Sequence, residues 1–195
     1  MWPEIRVSPG FCLLAGWFAV ANGWQLLAAV LGAAAIHEGG HWLALRLLGA
    51  RILGLRIGVL GAVLETDSRG LSYGGELAAV LAGPGANLAA ALALTALGQE
   101  TAVGAHLVLG AFNLLPARPL DGGRALYLAA SWALGPAAGE TLARWTGFTA
   151  ALALAAVLGA VMQRTGGSLW LLPALAGLLA AAGREAFRPE NGGNL

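Results

Sequence analysis

The sequence predicts an all-α polytopic membrane protein: about six transmembrane helices, with a short membrane-associated β-hairpin between helices 2 and 3. Three observations carry that prediction. Of 195 residues, 58% are hydrophobic and only 11% are charged, whereas a soluble domain carries about 25% charge. Mean hydropathy is +0.72. Apolar stretches recur six times, and a membrane span needs roughly 17–25 residues. One connecting stretch has a different texture, with β-branched residues and spaced glycines.

The first span runs from about Pro9 to Ala21 and is short, with Trp2, Trp17 and Trp24 around it. It reads as a retained anchor, because no small-residue cleavage site follows it. Asn22-Gly23 makes a tight turn into the second span, about Trp24 to Leu48. Residues 51–64 follow, where Ile52, Leu53, Leu55, Ile57, Val59, Leu60, Val63 and Leu64 are interrupted by Gly54, Gly58 and Gly61. A hairpin is expected there, with an irregular loop as the alternative. The third span is about Gly75 to Leu97. The fourth begins near Val103, breaks around Leu115 to Gly123, and resumes to Leu134. The fifth is about Gly147 to Gln163, and the sixth about Leu169 to Gly183. Residues 183–195 form a short polar tail, so 1–195 reads as a single domain.

Arginine placement sets the expected orientation. Arg6, Arg46, Arg51, Arg56, Arg69, Arg144, Arg184 and Arg188 fall on one side, and Arg164 on the other. Both termini are therefore expected in the cytoplasm of a multi-pass protein of the cell membrane. Lysine is absent and the net charge is +1, which gives no reason to expect a nucleic-acid partner. Cys12 is alone and cannot form an internal disulfide.

The chemistry concentrates in His37-Glu38-Gly39-Gly40-His41, in the second half of the second span. Two imidazoles at i and i+4 share one helix face and can grip one ion. Gln25 to Ile36 carries no charge, so the cluster sits in or at the edge of lipid, where ionisable groups are costly and point to function. His37 to Arg46 is nine residues, about 13 Å of helix. That places the cluster within the bilayer, nearer the cytoplasmic face. Glu38 beside the first imidazole can act as base toward a water activated by the ion.

A zinc protease site needs three protein ligands and an open position. Asp121 is the best third candidate, in the sequence from Asn113-Leu114-Leu115-Pro116 through Pro119-Leu120-Asp121-Gly122-Gly123-Arg124. Its prolines and glycines should break the fourth span, and broken backbone at membrane depth is tolerated where protein buries it or it lines a wet cavity. The structural alternative pairs Asp121 with Arg118 or Arg124. Asn113 offers an amide for substrate backbone or an oxyanion. Asn87, after Gly83-Pro84-Gly85-Ala86, is a pocket residue or simply part of a helix kink. His106 reads as a lone interfacial histidine. The exposed edge of 51–64 could pair with an unwound substrate strand.

Together these motifs resemble the site-2 proteases, intramembrane zinc metalloproteases that release membrane-tethered regulators. Within them, the resemblance is to the sporulation stage IV protein FB type. It covers nearly the whole chain and rests on His37-Glu38-Gly39-Gly40-His41, Ala82-Gly83-Pro84-Gly85 and the Asn113 to Arg124 motif. It implies one Zn2+ per chain held by His37, His41 and Asp121, with Glu38 as catalytic base and Asn113 contacting substrate. It also implies a membrane-associated protein substrate of the pro-sigma or anti-sigma factor class, and regulation by other membrane proteins. Members of that type often carry a nucleotide-sensing CBS domain after the last span; no CBS domain is expected here. Two other functions compete. An inactive homologue would bind membrane proteins, but such versions usually lose the residue that Glu38 supplies. A metal transporter would use the same ligands for passage, yet no line of acidic residues follows the spans.

Overall fold

The computed structural model describes residues 4–58, 61–67, 70–118, 120–164 and 183. It divides into two compact units, Met1–Leu114 and Leu115–Leu195.

The first unit holds three strands and four helices: β1 (Glu4–Val7), α1 (Pro9–Asn22), α2 (Trp24–Leu47), β2 (Arg51–Gly58), β3 (Gly61–Asp67), α3 (Tyr73–Ala96) and α4 (Glu100–Asn113). Ser8 caps α1 by accepting a hydrogen bond from the Phe11 amide at 3.2 Å, with Pro9 at the first helical position, where its missing N–H costs nothing. Gly23 adopts φ 89° between α1 and α2, a value that L side chains avoid. Ser72 caps α3 in the same way, accepting from the Gly75 amide at 3.2 Å.

The expected hairpin forms. β2 and β3 pair antiparallel from Arg51↔Asp67 to Gly58↔Gly61, with a register shift between Ile52 and Gly54. The sheet has a third member that the sequence did not announce. β1 pairs parallel with β2, Glu4↔Gly54 through Val7↔Ile57, giving the order β1-β2-β3. Gly54 makes this approach possible, since a Cβ there would lie 3.0 Å from the Glu4 carbonyl oxygen. Register sets Arg6 beside Arg56, and each guanidinium has its own carboxylate: Arg6 with Glu4 at 2.7 Å, and Arg56 with Glu65. The hydrogen bond and charge of Arg6 hold the Glu4 carboxyl below its usual range.

Helices α2, α3 and α4 pack through small residues at i, i+4 spacing. The buried positions are Ala33, His37 and Leu45 on α2, Ala79, Gly83, Asn87 and Ala91 among those on α3, and His106 and Gly110 on α4. Ridges of this spacing interdigitate with one another, and small side chains let backbones close on van der Waals contact alone. Gly40 marks a close backbone approach of α2 to α3: a Cβ there would fall 2.5 Å from the Ala82 oxygen and 2.8 Å from the Ala86 Cβ.

The second unit holds α5 (Asp121–Leu134) and α6 (Pro136–Arg164), joined at Gly135 with φ 91°. Gly139 is buried against the Ser131 hydroxyl, and Ala143, Gly147, Ala151 and Ala155 continue its small-residue line.

The expected six spans are not what the described residues contain. Two helices are long and apolar enough to cross a membrane, Tyr73–Ala96 and Pro136–Arg164. The expected first span is a 14-residue helix, about 21 Å long, short of a hydrocarbon core of about 30 Å. The expected fourth span is two such helices, α4 and α5, of 14 residues each. α2 has the length, with 24 residues, but its two histidines and Glu38 lower its hydropathy. The expected fifth span starts earlier than foreseen, at Pro136. The sixth span and the polar tail lie outside the described residues, Gly183 excepted.

Candidate metal centre

α2 places His37 and His41 one turn apart on its inward face. Their Nε2 atoms are 3.1 Å apart, and their rings stand edge-on at 83° with centroids 4.7 Å apart. With Zn–N bonds of about 2.0–2.1 Å, that spacing subtends roughly 100° at a shared ion, near tetrahedral.

α3 fixes both rings. His41 Nδ1 donates to the Ala79 carbonyl at 2.8 Å. A carbonyl can only accept, so the His41 proton sits on Nδ1 and Nε2 presents its lone pair, as a metal requires. Pro84 stands inside α3 without an N–H for the Val80 carbonyl, which loosens the adjoining turn. Gly83 lies beneath the His41 imidazole, in space where a Cβ would collide with the ring. The Gly83-Pro84 pair therefore does two jobs: it opens the helix and seats the imidazole.

His37 is held through Asn87. Asn87 Nδ2 lies 3.2 Å from His37 Nδ1, and Asn87 Oδ1 lies 3.1 Å from His106 Nδ1. All three are buried, with Asn87 at 0% exposure, His37 at 4% and His106 at 5%. His106 is thus a member of a buried polar chain and not an interfacial residue. Sequence reasoning missed this. A histidine on an apolar helix carries no sequence signal of a partner 19 positions earlier on another helix.

Glu38 follows His37 and is half-buried. It sits about 100° around the helix from His37. Asn113, the last residue of α4, donates from Nδ2 to the Leu109 carbonyl at 3.1 Å and is half-buried.

In the second unit, Asp121 is the first residue of α5 and half-buried. The preceding segment folds back on this helix. The Ala117 amide donates to Leu115 O at 2.8 Å, and the Leu120 amide to Ala117 O at 2.9 Å. A Cβ on Gly123 would meet the Ala117 carbonyl at 2.7 Å, so glycine is required beneath the fold. Arg118 pairs with Glu140 through two bonds of 3.0 and 2.7 Å and lies 5.5 Å over the Tyr127 ring. The first unit thus offers two imidazoles, His37 and His41, and the second a carboxylate, Asp121; imidazole and carboxylate are both donor types that suit zinc.

No family model matches the chain. Over 130 residues it is 31% identical to the candidate zinc metalloprotease Rip3 of Mycobacterium tuberculosis, in two strains. The match covers 59% of this chain and 32% of that protein, so the chain spans about a third of the length of the curated relatives it matches. A solved site-2 protease from Methanocaldococcus jannaschii superposes with a TM-score of 0.65 at 22% identity, covering 98% of this chain and 94% of that one. The chain has the site-2 protease fold: mostly helical, with a small three-stranded sheet.

Proposed function

We propose that the chain is an intramembrane zinc metalloendopeptidase that hydrolyses a peptide bond in or near the membrane segment of a membrane-associated regulatory protein. The observation that carries this is the imidazole pair on α2, at zinc-ligand spacing, with the His41 lone pair set by the Ala79 carbonyl. The Rip3 similarity and the site-2 protease fold support it.

Asp121 completes the ligand set with His37 and His41, one zinc per chain. Its carboxylate offsets one of the two charges of the ion. Bound zinc supplies Lewis acidity and a water of lowered pKa. Glu38, next to His37, would serve as the general base toward the attacking water and return the proton to the leaving amine. Asn113 turns its amide toward substrate backbone or the developing oxyanion, giving up its bond to Leu109. The outer edge of β3, beyond its pairing with β2, is the place for an unwound substrate strand. The Asn113 to Arg124 motif favours the stage IV sporulation FB type, with a pro-sigma or anti-sigma factor as substrate. The chain is multi-pass with both termini cytoplasmic.

Co-expression with candidate pro-sigma factors tests this. Glu38→Gln should retain zinc and lose cleavage by about 10²-fold or more. Unchanged processing in that variant refutes the assignment.

A further inference from the structure

α5 begins on a weak footing. Ser8 and Ser72 cap α1 and α3 with their hydroxyls. The residue in that place before α5 is Leu120, whose side chain has no acceptor to offer. The first turn is Asp121-Gly122-Gly123-Arg124, and two glycines leave it much freedom to lose on folding. By its own sequence this turn should fray, and it carries the carboxylate proposed as the third ligand.

The chain just before the turn counters that tendency. Ala117 is buried over Gly123. Arg118 stands 5.5 Å over the Tyr127 ring of α5 and makes a two-pronged bond to Glu140 of α6, Nη1 to Oε1 at 3.0 Å and Nη2 to Oε2 at 2.7 Å. Paired bonds of this kind fix direction as well as distance. Glu140 itself is well anchored. Its neighbour Gly139 approaches α5 so closely that a Cβ there would stand 2.8 Å from the Ser131 amide nitrogen. Three residues separate Ala117 from Asp121, so a strap fastened at Ala117 and Arg118 leaves little play at the carboxylate.

We infer that Arg118 and Glu140 are positioning residues, which fasten the start of α5 to α6 and hold Asp121 ready to ligate. This assignment rests on the zinc reading of the site. The side chains are 21% and 41% exposed, so the pair adds little to global stability. It acts on a local opening, that of one helical turn. A frayed turn must re-form before its carboxylate can ligate, so apparent affinity follows the formed fraction.

The Arg124 amide reports on the strap, because it donates to the Leu120 carbonyl at 3.2 Å across the first turn. The test uses the full chain in detergent micelles. Arg118→Gln and Glu140→Gln are combined, which keeps the net charge and the side-chain lengths and removes the ion pair. In the metal-free double variant, hydrogen exchange at the Arg124 amide should speed up about 5-fold, the ceiling for a half-exposed pair. Zinc affinity, measured against a competing chelator, should fall about 3-fold. Glu140→Asp keeps the carboxylate and should stay close to wild type in both readouts. A pair acting only through its electric field would leave the double variant at wild-type affinity, because its two charges leave together. Unchanged Arg124 exchange or unchanged zinc affinity in the double variant overturns the assignment while the zinc site stands. If wild type takes up no zinc, the zinc reading fails and the assignment with it.

Discussion

Two adjacent glycines should respond oppositely to the same substitution. Gly39 has no atom within 4 Å of where a Cβ would stand, whereas Gly40 faces the Ala82 oxygen at 2.5 Å and the Ala86 Cβ at 2.8 Å. Gly39→Ala gains helix propensity, about 1 kcal/mol. Gly40→Ala must push α3 away. Carbon contacts become favourable at about 3.5 Å, so the helices part by about 1 Å. Overpacking of this kind costs about 1–3 kcal/mol. The same displacement stretches the His41–Ala79 bond from 2.8 Å to about 3.8 Å, beyond hydrogen-bond range. Zinc affinity should therefore fall 10–100-fold in Gly40→Ala and stay at the wild-type level in Gly39→Ala. Thermal unfolding in detergent and zinc titration of both variants measure this. Equal stability and equal affinity in the two would refute the α2–α3 contact as the frame of the site.

Gly83→Ala drives a methyl into the His41 imidazole, and zinc binding should be lost even where the protein still purifies as a folded monodisperse species; retained stoichiometry by elemental analysis counts against this placement. Arg118 and Glu140 have side chains 21% and 41% exposed, so Glu140→Gln should cost no more than about 1 kcal/mol, read from the thermal midpoint; a much larger loss would mean the pair is buried in the working protein. Chelation should lower the midpoint, and zinc at about 100 times its Kd should restore about 2.7 kcal/mol; a midpoint indifferent to zinc speaks against a resident ion.

Local signals carried well from sequence to structure. The Asn22-Gly23 turn, the glycine-spaced hairpin and the break before Asp121 all rest on residues that dictate their own backbone, and each forms where the pattern placed it. What depends on distant partners did not carry. Glu4-Ile5-Arg6-Val7 is too short to declare itself a strand, and its parallel partner lies two helices away. His106 gives no hint of Asn87, 19 positions earlier on another helix. Span counting failed on length for α1, α4 and α5, each 14 residues, and on composition for α2, where His37, Glu38 and His41 lower the hydropathy of a helix that is long enough.

The most direct test of the metal centre is zinc-edge X-ray absorption on wild type and Asp121→Ala. Wild type should show two imidazole nitrogens and a carboxylate oxygen at about 2.0–2.2 Å, and Asp121→Ala should lose that oxygen or the zinc altogether. An identical first coordination shell in both proteins would contradict the assignment of Asp121 as the third ligand.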